Sequence, residues 1–543
     1  MTDAIPSIEP PANEPVLEYR PGSQERGRIK EELQRLSNTS IEIPLIIGGR
    51  PVKTGNLGRC TMPHDHGHQL AVFHQAGEKE VALAVEASRA AAGEWSAMDW
   101  QDRLAIFKKA ADLIAGPRRM LLNAATMLGQ GKNIFQAEID SACEIIDFLR
   151  FNAFYATQIY RQQPQSGPAE WNQLEYRPLE GFVFAVTPFN FTAIGGNLPS
   201  APAMLGNTVL WKPASTAVYA AWMLMETFIQ AGLPPGVINF IPGSGAQVGD
   251  PVLASPSLAG IHFTGSTSTL QGMWKTVAEN LERYRTYPRI VGETGGKDFV
   301  FVHASADPDA VVTALIRGAF EYQGQKCSAV SRAYLPRSCW PQIKEKLLAA
   351  METINVGPPE NFSNFVNAVI DRSAFDSIKG YIDSARTNDQ ADILAGGGAD
   401  DSKGYFIDPT LILTTDPHFK TMEEEIFGPV LTLYVYADED FEAALDLCDR
   451  TSPYALTGAV FARDRAAVAA ARTRLVHAAG NFYINDKPTG AVVGHQPFGG
   501  GRASGTNDKA GSILNLYRWV SPRSIKENFL PATDYRYPFM DAE

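Results

Sequence analysis

The segment FVFAVTPFNFTAIGGNLPSAPAMLGNTVLWK, residues 182–212, decides the fold, because it joins two short apolar strands through a turn and a helical stretch. The apolar runs, 182–187 and 208–212, carry β-branched residues, and Gly, Pro and Ser follow the first of them. The same order of strand, turn and helix returns from 237–241 and from 259–264. This alternation is typical of a parallel sheet covered by helices.

The pattern continues on both sides of this segment. Apolar residues at three-to-four spacing predict helices from 77 to 160. The alternation resumes after residue 296, with predicted strands at FVFVH, AVSRAYLP, 430–436 and 456–461 and a predicted helix at 307–322. Two α/β units in series are therefore expected, so the fold class is α/β.

Composition limits the classes of function. The chain has 543 residues, 45% of them hydrophobic and 20% charged, which predicts a globular protein of two to four domains. A net charge of −12 argues against a nucleic-acid surface. No apolar run reaches the roughly 18 residues of a membrane span. We therefore expect a protein that binds neither nucleic acid nor membrane.

Cysteine usage and the first residues bear on the compartment. The five cysteines are scattered and form no CxxC pair, which favours neither disulfides nor a zinc site, so no metal is expected. The N-terminal stretch MTDAIPSIEPPANEPV has neither the basic and apolar regions of a signal peptide nor the Arg-rich character of a presequence. The prediction is a cytoplasmic protein, or a processed mitochondrial matrix protein if the source is eukaryotic.

Three residues are candidates for covalent catalysis. Cys327 follows a Gly-Gln-Lys turn, and the adjacent Lys326 would favour the thiolate, although most cysteines are small buried hydrophobes. Glu293 lies in a Gly-rich turn, where burial would raise the pKa of its carboxyl towards that of a general base. Asn190 ends a predicted strand, and its neutral amide is a good oxyanion donor. Each residue taken alone also fits an ordinary buried or turn position.

Other residues fit a nucleotide. Lys212 ends a strand, and the stretch 262–269 passes from a strand through a Gly/Ser/Thr turn into a helix, an arrangement that cradles phosphate. It lacks the later glycines of the common dinucleotide fingerprint. Glu425, in MEEEIFGP, could bind a ribose, although acidic runs are more often solvated.

Together these motifs resemble the aldehyde dehydrogenase superfamily in order and spacing. FNF, WKP, FTGS, GETGGK, then GQKC 34 residues later, EEIFGP and PFGG at 497–500 occur in sequence, and the resemblance covers about residues 45–520. It implies that Cys327 is the nucleophile, that Glu293 activates water, and that Asn190 stabilises the oxyanion with the Cys327 N–H. The cofactor residues that it implies are Thr187, Lys212, Gly265, Ser266, Thr267, Ser268, Thr269 and Glu425.

The resemblance also implies a domain organisation. A Rossmann-like NAD-binding domain and a catalytic domain, each with a parallel sheet, are expected together with a small β oligomerisation arm. The expected ranges are an N-terminal arm at 1–40, the NAD-binding domain at 41–160 and 179–295, the catalytic domain at 296–505, and the oligomerisation arm and C-terminal tail at 161–178 and 506–543. From composition alone, the arm segments fit plain surface loops equally well.

Finer features resemble one branch of the superfamily, which oxidises L-glutamate γ-semialdehyde to L-glutamate in the second step of proline catabolism. They are NEPVLEYRPGSQER, GQGKNIFQAEIDSACEIIDFLRFN, GQKCSA, AGNFYINDKPTGAVVGHQPFGG and GRASGTNDKAG. The turn Thr489-Gly490-Ala491 offers successive N–H groups for the substrate carboxylate. The resemblance places Ser328 beside that carboxylate, Phe498 as a wall, and Glu144 facing the amine or a water. A plain helix-surface role for Glu144 fits as well.

The cofactor and the partners follow from the same resemblance. Many NAD-preferring members carry Glu three residues after the equivalent of Lys212, whereas this chain has Ser215, so NAD is implied and NADP stays open. The expected partners are a small aldehyde, a separate proline dehydrogenase (the chain has no room for a flavin barrel) and further copies of the chain. Alternatives are a dehydrogenase of succinate semialdehyde, a non-catalytic protein that keeps the fold, and one half of a bifunctional proline-oxidising enzyme.

Overall fold

The computed structural model describes residues 6–542. Residues 1–5 and 543, which belong to the predicted N-terminal arm and C-terminal tail, lie outside the described residues. The first third of the chain is mainly helical, as the spacing of apolar residues predicts. Its elements are α1 (Gln24–Ser37), β1 (Ile41–Ile43), β2 (Leu45–Ile47), β3 (Arg50–Val52), β4 (Leu57–Met62), β5 (Asp65–His74), α2 (Glu78–Ala97), α3 (Trp100–Ala115), α4 (Arg119–Gln130), α5 (Ile134–Ala137), a π-helical turn (Glu138–Glu144) and α6 (Ile145–Tyr160).

Strands and helices then alternate as predicted. The elements of this part are β6 (Glu170–Arg177), β7 (Phe182–Thr187), α7 (Thr192–Met204), β8 (Thr208–Pro213), α8 (Val218–Ala231), β9 (Ile238–Phe240), α9 (Gly245–Leu253), β10 (Leu258–Thr264), α10 (Thr267–Glu279) and β11 (Arg289–Glu293). The four strands predicted between 182 and 264 are confirmed to within two residues. Strand β7 begins and ends at the predicted residues.

The second α/β unit follows directly. Its elements are β12 (Asp298–Val302), α11 (Pro308–Phe320), β13 (Val330–Pro336), α12 (Trp340–Met351), α13 (Arg372–Arg386), β14 (Ala391–Ala395), β15 (Ala399–Asp400), β16 (Phe406–Ile407), β17 (Thr410–Thr414), α14 (Lys420–Glu423), β18 (Val430–Tyr436), α15 (Phe441–Arg450), β19 (Tyr454–Ala455), β20 (Thr457–Phe461), α16 (Arg465–Arg474), β21 (Asn481–Ile484), β22 (Gly501–Arg502), α17 (Ile513–Leu516) and β23 (Ser521–Asn528).

Two seven-stranded sheets organise these elements. The first has the order β11-β10-β7-β8-β9-β2-β3, and its five strands from β11 to β9 are parallel. The second has the order β14-β17-β18-β13-β12-β20-β21 and is parallel except for β14. The fold is therefore α/β with two parallel-sheet units. Since the strands of a parallel sheet end at one edge, β7, β8, β10 and β11 deliver their last residues to the same side.

The N-terminal residues form more than a surface arm. Helix α1 buries Ile29, Leu33 and Leu36 and packs against α4. Before it, the Asn13 amide donates hydrogen bonds to the Asp147 carboxylate and to the Val493 carbonyl, both at 2.8 Å. The segment around Asn13 thus links helix α6, through Asp147, to the loop at Val493, which is 480 residues from Asn13.

Strands β6 and β23 form a two-stranded antiparallel ribbon with eight paired residues on each strand. The ribbon brings together the two segments that the sequence predicts as an oligomerisation arm. Trp171 and Phe529 stack edge-to-face across one end of it, with ring centroids 5.6 Å apart, and both side chains are exposed. Whether the ribbon joins subunits stays a prediction.

Candidate active site and cofactor cleft

A cleft of about 840 Å³ lies where the carboxyl ends of the first sheet face the amino ends of strands in the second sheet. Most of the predicted catalytic and cofactor residues line it, namely Thr187, Asn190, Lys212, Gly265, Ser266, Thr269, Cys327 and Glu425. Thr267 and Ser268 lie in the first turn of α10 but are not part of its lining, and neither is Glu293, which precedes the lining residues 294–295. Parallel strands of both sheets thus deliver residues from distant parts of the chain to one cleft.

One wall of the cleft fits an anionic nucleotide. Helix α10 begins there, and its N-cap Ser266 accepts a hydrogen bond from the Thr269 N–H at 3.3 Å. Lys212 is 8% exposed, and among residues 6–542 its Nζ has only the carbonyl of Pro213, 3.5 Å away, as a hydrogen-bond acceptor. Burial lowers the pKa of this amine. A buried, poorly partnered cation beside a helix N-terminus fits the phosphate and ribose of a dinucleotide.

Glycines let the chain approach closely here. At Gly265, a Cβ would lie 2.7 Å from the ring of Phe263. At Gly295, a Cβ would collide with the carboxylate of Glu425, which accepts a hydrogen bond from the Gly296 N–H at 3.0 Å. Burial raises the pKa of Glu425 to about 7. These contacts fix Glu425 on the wall of the cleft, between the two sheets.

Cys327 follows a sharp turn in which Tyr322 and Gln323 have φ values of 52° and 55°. The Asn190 side chain donates from Nδ2 to the carbonyl of Gln325 at 3.1 Å, which holds the amide beside the cysteine loop. One of the two N–H bonds on Nδ2 is used in this way, and the other remains for a ligand in the cleft.

The electrostatic setting of Cys327 differs from the prediction. The Lys326 ammonium pairs with Glu321 at 3.0 Å, so its charge is neutralised locally. Burial first, and then the carboxyls of Asp298, Glu293 and Glu425, raise the pKa of the Cys327 thiol well above its usual range. The expectation that Lys326 favours the thiolate is therefore wrong. The thiol needs a base or a bound cation before it can react.

Glu293 is the last residue of β11, and its Oε2 accepts a hydrogen bond from the Gly500 N–H at 3.4 Å. Burial raises the pKa of its carboxyl well above the usual range, as the sequence predicts. The Gly500 hydrogen bond and the positive charge of Lys509 oppose this shift, whereas Asp508 adds to it. A buried carboxyl with a raised pKa at the edge of a cleft is typical of a general base.

The predicted substrate residues form a second group. Ser328 Oγ and Thr489 Oγ1 are 2.8 Å apart, which places the turn at 489–491 beside the residue after the cysteine. Gly490 has a φ of 90°, a left-handed conformation that favours glycine, and Ala491 is half-buried. Phe498 is partly buried, and its N–H and carbonyl are both bonded to Ala510, at 2.9 and 2.8 Å. None of these residues lines the large cleft.

Glu144 lies at the end of the π-helical turn, and π-helical turns are frequent at functional sites. Burial raises the pKa of its carboxyl to about 8, Asp140 adds to the shift, and Lys132 opposes it. Asp140 in turn accepts hydrogen bonds from the N–H groups of Thr192 and Ala193, at 2.9 and 2.8 Å. The turn that carries Glu144 is thus bonded to the start of α7, which begins two residues after Asn190.

Sequence reasoning missed several residues of the site. Phe189 and Phe427 line the cleft and stack edge-to-face, with ring centroids 5.8 Å apart. Both residues lie inside recognised motifs, FNF and EEIFGP, so the sequence did contain a signal that they belong to the site. Lys509 also lies inside a recognised stretch, GRASGTNDKAG, but nothing in that stretch indicates that the fold brings it next to Glu293.

Known proteins resemble this chain over nearly its whole length. Residues 53–523 match the profile of the aldehyde dehydrogenase family. The chain is 54% identical over 537 residues to the mitochondrial delta-1-pyrroline-5-carboxylate dehydrogenase of Dictyostelium discoideum (98% of this chain, 96% of the relative), and 52% identical over 529 residues to that of Danio rerio (97% and 95%). A crystal structure of delta-pyrroline-5-carboxylate dehydrogenase from Mycobacterium tuberculosis bound with NAD superposes with a TM-score of 0.96, at 54% identity and full coverage of both chains.

Over residues 6–542, no helix has the length and apolar character needed to cross a bilayer.

Proposed function

The chain belongs to the aldehyde dehydrogenase family, and from that premise we propose that it oxidises L-glutamate γ-semialdehyde to L-glutamate with NAD. The substrate is the open form of Δ1-pyrroline-5-carboxylate, and the reaction is the second step of proline catabolism. The observation that carries the proposal is the single cleft that joins Cys327 and Asn190 to a nucleotide-binding wall. Relatives that match nearly the whole chain are named for this activity.

The first half of the reaction makes a thioester. The Cys327 thiol first gives up its proton to water in the cleft, its thiolate Sγ adds to the aldehyde carbon, and the resulting oxyanion accepts hydrogen bonds from the free N–H of Asn190 and from the backbone N–H of Cys327. NAD, when bound along the wall with Lys212 and Glu425, supplies the hydride acceptor. Loss of hydride from the tetrahedral carbon leaves the acyl group on Sγ.

The second half releases the acid. Glu293 takes a proton from water, the water oxygen adds to the thioester carbon, and the C–S bond breaks to free the Cys327 sulfur. A raised pKa suits this task, because it makes the ionised carboxylate a stronger acceptor for the proton of water. The role of Glu293 is thus assigned to deacylation.

The Ser328–Thr489 hydrogen bond supports the assignment of the site for the substrate carboxylate. It sets two hydroxyls and the backbone N–H groups of 489–491 in one place, where a carboxylate can accept several hydrogen bonds. Phe498, whose backbone is fixed by Ala510, is assigned by the family resemblance to an apolar side of the same space. Glu144 is assigned to the substrate ammonium, directly or through water. This set favours an aldehyde that carries a remote carboxylate.

The test of the substrate is a comparison of two aldehydes. Purified protein with NAD should give a kcat/KM for glutamate γ-semialdehyde at least about tenfold above that for succinate semialdehyde, because the shorter aldehyde lacks one carbon and the ammonium. Equal values would reject the assignment and leave a less specific dehydrogenase. No activity with either aldehyde, in folded protein, would favour a non-catalytic role.

The test of the mechanism uses Glu293→Gln, which keeps the size of the side chain and an acceptor for the Gly500 N–H. It should release about one NADH per subunit in a burst and then turn over roughly 10²-fold more slowly, since a general base contributes at least that factor. Exposed Glu282→Gln is the matched control and should behave as the parent enzyme. Loss of the burst itself would show that Glu293 activates the thiol.

Two partner assignments belong to this proposal. The β6–β23 ribbon pairs only with itself among the described strands, and an isolated two-stranded ribbon is marginally stable, which favours a second copy of the chain against it. Light scattering should therefore give a multiple of the 59.1 kDa mass, and a monomer would contradict this. A separate proline dehydrogenase is the expected supplier of substrate.

The compartment stays a proposal too. A reducing compartment fits five free cysteines, and it would be the cytoplasm in a prokaryote or the mitochondrial matrix in a eukaryote. Cell fractionation of the source organism would test it, and a secreted protein would contradict it.

A further inference from the structure

Glu293 rests on a turn made of glycines. Its Oε2 accepts the hydrogen bond from the Gly500 N–H, and a Cβ at Gly499 would lie 3.0 Å from its Oε1. The carboxyl group therefore lies flat against the backbone of residues 499–500. Whatever fixes this turn also fixes the resting position of the base.

Lys509 fixes that turn. Its Nζ donates hydrogen bonds to the carbonyls of Gly499 at 2.9 Å and Gly480 at 2.8 Å, and lies 3.4 Å from Asn481 Oδ1. Asn481 Oδ1 also accepts from the Gly499 N–H at 3.2 Å, while its Nδ2 donates to the Pro497 carbonyl at 3.1 Å. The N–H and the carbonyl of Gly499 are thus both held, one of them by the Lys509 ammonium.

Lys509 also supplies an unneutralised positive charge. Within residues 6–542 it forms no ion pair shorter than 4.0 Å, and it is only half-buried. Three ionisable groups interact with Glu293, namely Lys509, Asp508 and the Cys327 thiol. Asp508 is paired with Arg518 at 3.3 Å, which weakens its effect on Glu293. Lys509 is therefore the cation that favours the ionised form of the base.

We propose that Lys509 is a positioning residue for deacylation, which fixes the glycine turn under Glu293 and supplies the positive charge that favours its carboxylate form. The inference rests on the proposed role of Glu293 as the base. It assigns no contact between Lys509 and the substrate. Attack by Cys327 and hydride loss do not require the Lys509 ammonium, so its removal should slow the second half of the reaction selectively.

The experiment compares Lys509→Met, Lys509→Arg and the control Arg386→Met. Arg386 also donates to a glycine carbonyl, that of Gly397, but lies on the surface of α13. A nearby cation lowers a carboxyl pKa by about 1–3 units, and partial exposure favours the lower end of that range. We therefore expect Lys509→Met to lower steady-state kcat about tenfold at pH 7 and to move the acid limb of the kcat–pH profile up by about one unit.

Three further readouts separate positioning from a merely structural role. The NADH burst of Lys509→Met should stay within about twofold of one per subunit, Lys509→Arg should restore the acid limb, and Arg386→Met should match the parent enzyme. An unshifted acid limb, or equal loss of burst and turnover in folded protein, would overturn the inference. If Lys509→Met fails to fold, Lys509→Gln replaces it.

Failure of the proposed substrate remains distinguishable from failure of this inference. The parent enzyme alone decides whether glutamate γ-semialdehyde is oxidised. Any aldehyde that the parent enzyme does oxidise serves for the burst and the pH profile of the Lys509 variants.

Discussion

The choice between NAD and NADP can be changed at Ser215. This side chain is exposed at the turn that follows β8, three residues beyond Lys212, and the adjacent Ala214 lines the cleft. Ser215→Glu introduces a carboxylate where family members that prefer NAD carry one. Against the 2′-phosphate of NADP it adds repulsion between like charges, and against the free ribose of NAD it adds an acceptor for two hydroxyls.

The expected change in cofactor preference depends on the exposure of residue 215 to solvent. Two unit charges about 4 Å apart interact with about 1 kcal/mol in water and about 4 kcal/mol near a protein surface, and salt weakens this further. For an exposed site we take roughly 1.5 kcal/mol, so kcat/KM with NADP should fall about tenfold. A charge-assisted hydrogen bond to NAD contributes about 1 kcal/mol here, which is roughly fivefold. The ratio of NAD to NADP use should therefore rise about 50-fold.

The assay is kcat/KM for each cofactor at fixed aldehyde, at low and at high ionic strength. Ser215→Gln has the same length without the charge and should leave the cofactor ratio near that of the parent enzyme. The change in Ser215→Glu should shrink at high salt. A ratio that moves less than twofold, or an equal change in Ser215→Gln, would refute the reasoning and place the 2′ position of the cofactor away from residue 215.

Two further predictions concern Asp298 and Gly296, which lie close to Cys327. Burial raises the pKa of Asp298 to about 8, and its Oδ2 has no hydrogen-bond partner among the described residues. Because the folded state holds this proton more tightly than the unfolded chain, stability present below about pH 4 is lost as pH rises to about 8. The Tm of Asp298→Asn minus that of the parent should therefore grow between pH 5 and 8 and then level off, whereas a constant difference would contradict the prediction. Gly296→Ala would put a Cβ into the carbonyl of Cys327, so kcat should fall about 10²-fold, while Gly93→Ala, where a Cβ meets open space in α2, should leave kcat unchanged.

The sequence predicted the fold best where apolar periodicity is strong. Strands β7, β8, β10, β12, β13 and β18 are short, apolar and buried on both faces, so composition alone identifies them. Strands β2 and β3, by contrast, have three residues each, too few to show a period of two. They join the first sheet because its edge at β9 offers unpaired backbone groups, which is a tertiary effect.

The candidate site, like the fold, could be predicted from the sequence only in part. Asn190 follows β7, Lys212 is the last residue but one of β8, and Glu293 ends β11, so their meeting at one edge could be expected from the strand pattern. The neutralisation of Lys326 by Glu321 could not, because it depends on a left-handed turn at 322–323 that folds the chain back on itself. The bond between Glu293 and Gly500 joins residues 207 apart, and no local pattern encodes it.

The bond from Asn13 to Val493 has a consequence for biosynthesis. Asn13 leaves the ribosome first among its partners, and its acceptor follows 480 residues later. At about 5–20 residues per second, the interval is roughly 24–96 s. During that time α1 can already pack against α4, and Asn13 can already bond to Asp147, but the bond from Asn13 to Val493 cannot form. Since Val493 follows the turn at 489–491, the substrate end of the enzyme cannot be fastened before this part of the chain has been synthesised, and a nascent chain cannot be active earlier.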